Sequence, residues 1–289
     1  MKKFLKIALA LAVLVGFSAC GAKNEDVKEE GQEAKVEETT KDDKKSNGEI
    51  IIGVVGEYNE VLEKVIARYE EGTGKKAKLQ KFSDYSQPNE ALLAGDIDLN
   101  AYQHHKFLDE FNESKGSDLV GIGDTMLAPM GLYSEKIKSI DELEDGAKVA
   151  IPNDPTNGSR ALFLLQEAGL IKVDGEAGDL IGLDKITENP KNLEIIEMDA
   201  STTPRSLEDV AIAAVNDTFA LDSGLEKEKA VFVEDPKSES VKQYINLIAA
   251  RKEDENNEDY KEFIKYYQTE ETIKDMEEIT KGAWLPAWK

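Results

Sequence analysis

The sequence predicts an α/β body built in two halves around a cleft. Three observations carry that prediction. Short apolar runs rich in β-branched residues alternate with stretches of helical spacing from Glu49 onward. The alternation begins a second time near Ala147. About 240 residues remain once an N-terminal leader and an acidic linker are set aside, which suits one large domain or two lobes of roughly 120 residues each.

The elements follow in order. Glu49 to Gly56 (EIIIGVVG) reads as a buried strand ending in glycine. Leu62, Val65, Ile66 and Tyr69 have helical spacing, and Gly72 and Gly74 stop that helix. Lys76 to Phe82 is a second strand. Gln87 to Gly95 is a short helix with Pro88 in its first turn. Ile97 to Gln103 alternates apolar and polar residues and predicts a strand, and His104 to Lys115 predicts a helix. In the second half, Ala147 to Pro152 is a strand and Arg160 to Ile171 a helix ending at Gly169. Strands follow at Leu193 to Asp199, at Val210 to Asn216 after a short helix from Ser206, at Ala230 to Asp235 and at Tyr244 to Arg251. Two amphipathic helices then close the chain before Trp284 and Trp288. The last segment returns toward the first half. The expected lobes are therefore 49–132 with 246–289, and 133–245.

The leader has its own chemistry. Lys2, Lys3 and Lys6 precede an apolar run from Ile7 to Phe17, too short to span a bilayer, and Ser18 and Ala19 lead into Cys20, the single cysteine. This layout predicts a bacterial lipoprotein signal over residues 1–19, cleavage before Cys20 and a lipid on its thiol; plain secretory cleavage is the rival reading. The protein would then sit on the extracytoplasmic face of the cell membrane. Residues 20–48 mix Glu, Asp, Lys, Gly and Thr with few large apolar side chains, and predict a disordered, lipidated linker.

Composition narrows the function classes. A net charge of −23 opposes binding to nucleic acid, whose phosphates would repel it. The only cysteine is committed to the anchor. His104 and His105 are adjacent and point in different directions, so they cannot share one metal from one face. HExxH, CxxC, G-x-S-x-G and phosphate-loop patterns do not occur in the sequence. No catalytic residue, metal or cofactor is assigned, and a binding protein is expected rather than an enzyme.

Four places share one position, the end of a strand before a helix, where a cleft rim is expected. Ile151 to Arg160 (IPNDPTNGSR) has Asn157 as a good N-cap and Arg160 in the first turn. A cation opposes the helix dipole there unless a ligand carboxylate shares the site; the alternative is a surface arginine. Tyr85 lies in the turn-rich SDYSQPN segment. Tyr102 and His104 share a face if their strand continues. These three rings could wall an apolar side chain or serve ordinary packing. Asn216 offers donor and acceptor to an amino acid, or caps a helix.

The stretches FSDYSQPNEALLAGDIDLNAYQH, IPNDPTNGSRALFLLQEAGLI, ENPKNLEI, PRSL and VNDTFA resemble the NlpA lipoprotein family, the methionine-type substrate-binding lipoproteins of ABC importers. The resemblance runs from about Ile50 to the C-terminus, with departures at Tyr102, Gly158 and Ser159. It implies a type II periplasmic-binding-protein fold with the ligand between two lobes. It also implies delivery of L-methionine, by a monomer, to a membrane permease and its ATPase. Carried over by position, Arg160 and Asn157 would meet the carboxylate, Asn216 the amino-acid backbone, and Tyr85, Tyr102 and His104 the side chain. Rival readings are the same fold for D-methionine, a methionyl dipeptide or another apolar amino acid; a surface antigen or adhesin; and an exported enzyme.

Overall fold

Alternate residues of the first strand, β1 (Glu49–Val55), are buried on opposite faces of a sheet that carries helices on both. Ile50, Ile52 and Val54 join one core, while Ile51 packs against another. The computed structural model describes residues 48–288. The expected signal, Cys20, the linker up to residue 47 and Lys289 lie outside the described residues.

After β1, helix α1 (Glu60–Thr73) crosses to the parallel strand β2 (Lys76–Phe82). Gly74 caps that helix in the left-handed region. Helix α2 (Pro88–Ala94) leads to β3, which is only Leu99–Asn100, parallel to β1. Helix α3 (His105–Lys115) follows, then β4 (Val120–Leu127). The chain crosses to a second sheet at β5 (Gly131–Tyr133). There β6 (Lys148–Pro152) precedes α4 (Pro155–Glu167), a small antiparallel pair β7 (Lys172–Val173) and β8 (Ile186–Glu188), and β9 (Glu194–Met198). Strand β10 (Ile212–Val215) precedes the short helix α5 (Asp217–Asp222), and β11 (Ala230–Val233) completes the sheet. The chain returns at β12 (Ile245–Ala250), forms α6 (Glu258–Tyr267) and α7 (Glu270–Thr280), and ends with β13 (Leu285–Pro286).

The first sheet has the order β13-β4-β12-β3-β1-β2 and the second β11-β5-β10-β6-β9. Each has its own core. Tyr69, Val65 and Phe263, all fully buried, dominate one; Leu162, Leu164, Leu165 and Ile151 dominate the other. Burying each such aliphatic or aromatic side chain contributes about 1.5–3 kcal/mol.

Three differences from the sequence reading matter for the site. Helix α4 begins at Pro155, not Arg160, and its cap is Asp154, whose carboxylate accepts the Asn157 N–H. Asn157 is therefore inside the helix and Arg160 lies in its second turn, so the supposed conflict with the helix dipole does not arise. Strand β3 stops at Asn100, and the segment carrying Tyr102 and His104 is irregular apart from a bridge between His104 and Asn246. The strands β4 and β5 were not expected. Gly121 and Gly123 break the apolar pattern of β4, yet the packing leaves little room for a side chain at either. A Cβ at Gly123 would lie 2.7 Å from Ile264 Cγ2, and one at Gly121 3.2 Å from Leu247 Cδ2.

Candidate functional site

The six residues singled out as ligand contacts line one cavity. Tyr85, Tyr102 and His104 come from the first-sheet side; Asn157, Arg160 and Asn216 come from the second. The space between them is about 380 Å³, part of it open to solvent.

The aromatic wall is built from the loop after β2 and the segment before α3. Asp84 organises the loop by accepting the Ser86 N–H at 2.8 Å. This presents Tyr85, whose carbonyl accepts the Tyr102 hydroxyl at 3.2 Å. The Tyr85 and Tyr102 ring centroids are 5.8 Å apart, and Phe107 stands edge-on to both at 6.0 and 5.9 Å. Phe219 of α5 closes on Tyr85 at 4.9 Å from the other side. Behind the segment, Asn89, Asn100 and Gln103 form a buried triangle of amide bonds of 2.7–3.0 Å. That triangle holds the chain where β3 has ended and ladder bonds have run out.

His104 caps α3. Its Nδ1 accepts the Phe107 N–H at 3.0 Å, so the proton of the neutral ring belongs on Nε2. Nε2 faces Asn157 Oδ1 at 3.4 Å. Burial, and next the Arg160 charge, push the His104 pKa down to about 3, so the ring is neutral at physiological pH.

Asn157 is fixed by its own cap residue. Its Nδ2 donates to the two Asp154 carboxylate oxygens at 3.0 and 3.1 Å, which turns Oδ1 toward the cavity. There Oδ1 accepts the Asn216 Nδ2 at 2.7 Å. Asn216 Oδ1 is left buried without a hydrogen-bond partner, one of three such side-chain atoms among the described residues. An unpaired buried acceptor costs about 1–3 kcal/mol. A donor from a bound molecule would remove that cost.

Arg160 is 3% exposed and is held by Glu234, which is 5% exposed. Nε donates to Glu234 Oε1 at 2.7 Å and Nη2 to Oε2 at 2.6 Å, while Nη2 also donates to the Ala128 carbonyl at 3.0 Å. The guanidinium stacks on Tyr244 with its carbon 4.3 Å from the ring centroid. Nη1 takes no part in these bonds. Glu234 Oε2 also accepts the Met130 N–H at 2.7 Å. The ion pair thus fixes the chain where it passes from β4 to β5. Asp217 also lines the cavity and accepts the Trp284 Nε1–H at 2.6 Å; burial pushes its pKa up to about 6.

Sequence reasoning missed Glu234, Tyr244 and Phe219 as parts of this site and placed Phe107 only as a helix residue. Glu234 directly follows β11, so the strand-end rule that found the other residues applies to it as well. Its signal was lost among the 59 acidic residues of the chain.

Comparison with known proteins follows the same lines. A family model described as NlpA lipoprotein matches residues 50–288. The D-methionine-binding lipoprotein MetQ of Escherichia coli (strain K12) is 42% identical over 242 residues, covering 83% of this chain and 87% of that protein. The substrate binding protein of a methionine transporter from Streptococcus pneumoniae superimposes with a TM-score of 0.79 at 39% identity, covering 83% of this chain and 96% of that one. A nutrient binding protein from Burkholderia cenocepacia, solved bound to methionine, gives a TM-score of 0.78 at 39% identity, covering 82% and 99%.

Proposed function

The chain belongs to the NlpA lipoprotein family, with the α/β fold of its substrate-binding proteins, and from that premise we propose that it captures methionine outside the cytoplasmic membrane for an ABC importer. The single observation that carries the ligand class is Asn216 Oδ1. It is a buried acceptor without a partner, in a cavity whose wall is aromatic. An α-ammonium group satisfies it. Arg160 Nη1 takes the α-carboxylate, and Asn157, whose Nδ2 is held by Asp154 and whose Oδ1 accepts from Asn216, positions Asn216 rather than donating to the ligand. Tyr85, Tyr102 and neutral His104, backed by Phe107, surround a flexible thioether, where sulfur–aromatic contacts contribute about 0.3–1.5 kcal/mol each. Among the described residues no cation but Arg160 lines the cavity, so an acidic ligand side chain meets no counter-charge among these rings.

The two sheets serve as cores of two lobes, 49–132 with 246–289 and 133–245, that close over the ligand as a monomer and then dock on the permease and its ATPase. Cys20 carries the lipid that holds the protein on the extracytoplasmic face. Calorimetric titration with L- and D-methionine, a methionyl dipeptide, leucine, norleucine, lysine and glutamate tests the ligand. L-Methionine is expected to bind most tightly and the charged amino acids poorly. A panel in which methionine is not among the best ligands removes the substrate assignment. Asn216→Ala weakens every amino acid that wild type binds. Membrane fractionation tests the anchor: Cys20→Ala is expected in the soluble fraction or unprocessed, and a processed, membrane-bound variant overturns the lipid role.

A further inference from the structure

Helix α5 carries a pocket residue at one end and a second, unassigned contact at the other. Asn216 precedes its first residue and Asp222 is its last. The Asp222 carboxylate lies against the loop that leaves β1. Oδ1 accepts the Tyr58 N–H at 2.7 Å and the Glu57 N–H at 3.1 Å, and Oδ2 accepts Glu57 N–H at 3.0 Å. These bonds join an element that follows β10 of the second sheet to a loop of the first. The loop is shaped for them. Gly56 has φ +79°, and a Cβ on it would lie 2.1 Å from Asp222 Oδ2, so both the turn and the approach of the carboxylate need glycine there.

Two further contacts reach α5 and the turn after it from the first-sheet side. Trp284 donates to Asp217, and Lys281 pairs with Glu226 at 3.3 Å. The Asp217 bond is buried within the pocket wall. Asp222 differs because it is exposed, and of its backbone partners Glu57 is exposed and Tyr58 half-buried. Water can replace that carboxylate on the Glu57 and Tyr58 amides, so the contact can form and part without stranding a buried group.

We propose that Asp222 is a positioning residue for ligand retention: its carboxylate clasps the Glu57 and Tyr58 amides when the two sides close, and α5 passes that closure to Asn216. The inference rests on the capture function proposed above. It assigns Asp222 no contact with the ligand, since it lies outside the cavity lining. The clasp acts on the escape of bound ligand and leaves encounter unchanged.

The test uses the full chain carrying Trp288→Phe, in detergent with L-methionine, followed by stopped-flow fluorescence of Trp284, which sits between Tyr58 and Asp217. Asp222→Ala is expected to raise the dissociation rate about tenfold, the effect of losing one or two charge-assisted hydrogen bonds, with the association rate within about twofold of wild type. Asp222→Asn keeps one acceptor oxygen and falls between. Gly56→Ala, which pushes the carboxylate away, reproduces the Asp222→Ala off-rate. A folded Asp222→Ala protein with a wild-type off-rate overturns the clasp. If Asp222→Ala does not fold, Asp222→Asn decides by the same rate. If wild type binds no amino acid, the capture reading fails, and amide hydrogen exchange judges the clasp separately. Faster exchange at Glu57 and Tyr58 and along α5 together in Asp222→Asn supports it. Exchange unchanged from wild type overturns it.

Discussion

At the scale of single residues, the site is a chain of fixed partners ending in one open acceptor. Arg160 cannot be judged by deleting it alone. Arg160→Ala strands the buried Glu234 carboxylate, and breaking a buried pair from one side costs about 3–5 kcal/mol. Denaturant unfolding will show that loss. Arg160→Met combined with Glu234→Gln removes both charges, recovers most of the stability and still fails to bind amino acid in a calorimetric titration. Binding by the double variant would exclude Arg160 as the carboxylate partner. Two strongly perturbed groups, His104 and Asp217, each add a slope to the pH profile. His104 titrates at about 3 in the fold against an ordinary 6.5, so the unfolded chain holds more protons between those values, and stability is lost as pH falls through that window. Asp217 titrates at about 6 against 3.8, so the folded chain holds more protons between those values, and stability is lost as pH rises from about 4 to 6. The two slopes oppose each other there. Asp217→Asn removes one of them, so its unfolding free energy should fall on acidification from pH 6.5, by at most about 1.4 kcal/mol per pH unit for one proton. Denaturant titrations of the variant and wild type between pH 4 and 7 check the sign; a variant profile parallel to that of wild type would refute the shift assigned to Asp217. Six cavity residues were legible because a strand end before a helix is a position visible in sequence. Their partners were not, since nothing local distinguishes Glu234 from a solvated acid until β11 and α4 are brought together.

At the scale of elements, α4 shows what a motif conceals. Pro155 after Asp154 places the cap at Asp154, because proline suits the first helical position and leaves capping to the residue before it. Reading the cap at Asn157 shifted the helix start by several residues and turned a pocket amide into a cap. Gly158 then explains how α4 seats on the end of β6. A Cβ there would lie 2.9 Å from the Pro152 carbonyl oxygen, which is backbone and cannot rotate aside. Gly158→Ala should push the first turns of α4 off the sheet and carry Asn157 and Arg160 with them. Overpacking of this kind costs about 1–3 kcal/mol. The amino-acid dissociation constant should rise about tenfold or more, since a displacement near 1 Å loosens every polar contact of the clamp. Unfolding curves and titration on the same sample decide it; unchanged affinity would mean that the helix start adapts without moving the site. Strand β4 was illegible for a related reason. Glycines inside a strand read as breaks, and their role at Gly121 and Gly123 is seen only when Leu247 and Ile264 occupy the space where their side chains would be.

At the scale of the molecule, two halves were legible from the repeated rhythm of strands and helices, because that rhythm reports topology directly. How they meet was not, since it depends on pairs far apart in sequence, such as Tyr85 with Phe219 and Arg160 with Ala128. Those pairs place the cavity between the sheets, so a ligand there touches both cores, and its binding energy adds to the stability of the whole body. For a ligand that binds only the folded state, a concentration one hundred times its dissociation constant contributes about 2.7 kcal/mol. In a domain of this size that corresponds to a rise of roughly 5–10 °C in the unfolding midpoint. Differential scanning calorimetry with L-methionine at that excess should show the rise. Leucine at the same absolute concentration should give a smaller one, because it lacks the sulfur–aromatic contacts, and lysine should give none, because Tyr85, Tyr102 and neutral His104 carry no charge to offset desolvation of its ammonium and the Asp217 carboxylate is engaged by Trp284. A lysine shift as large as that of methionine would mean that these rings do not select the side chain, and that the cavity recognises only the amino-acid backbone through Arg160 and Asn216.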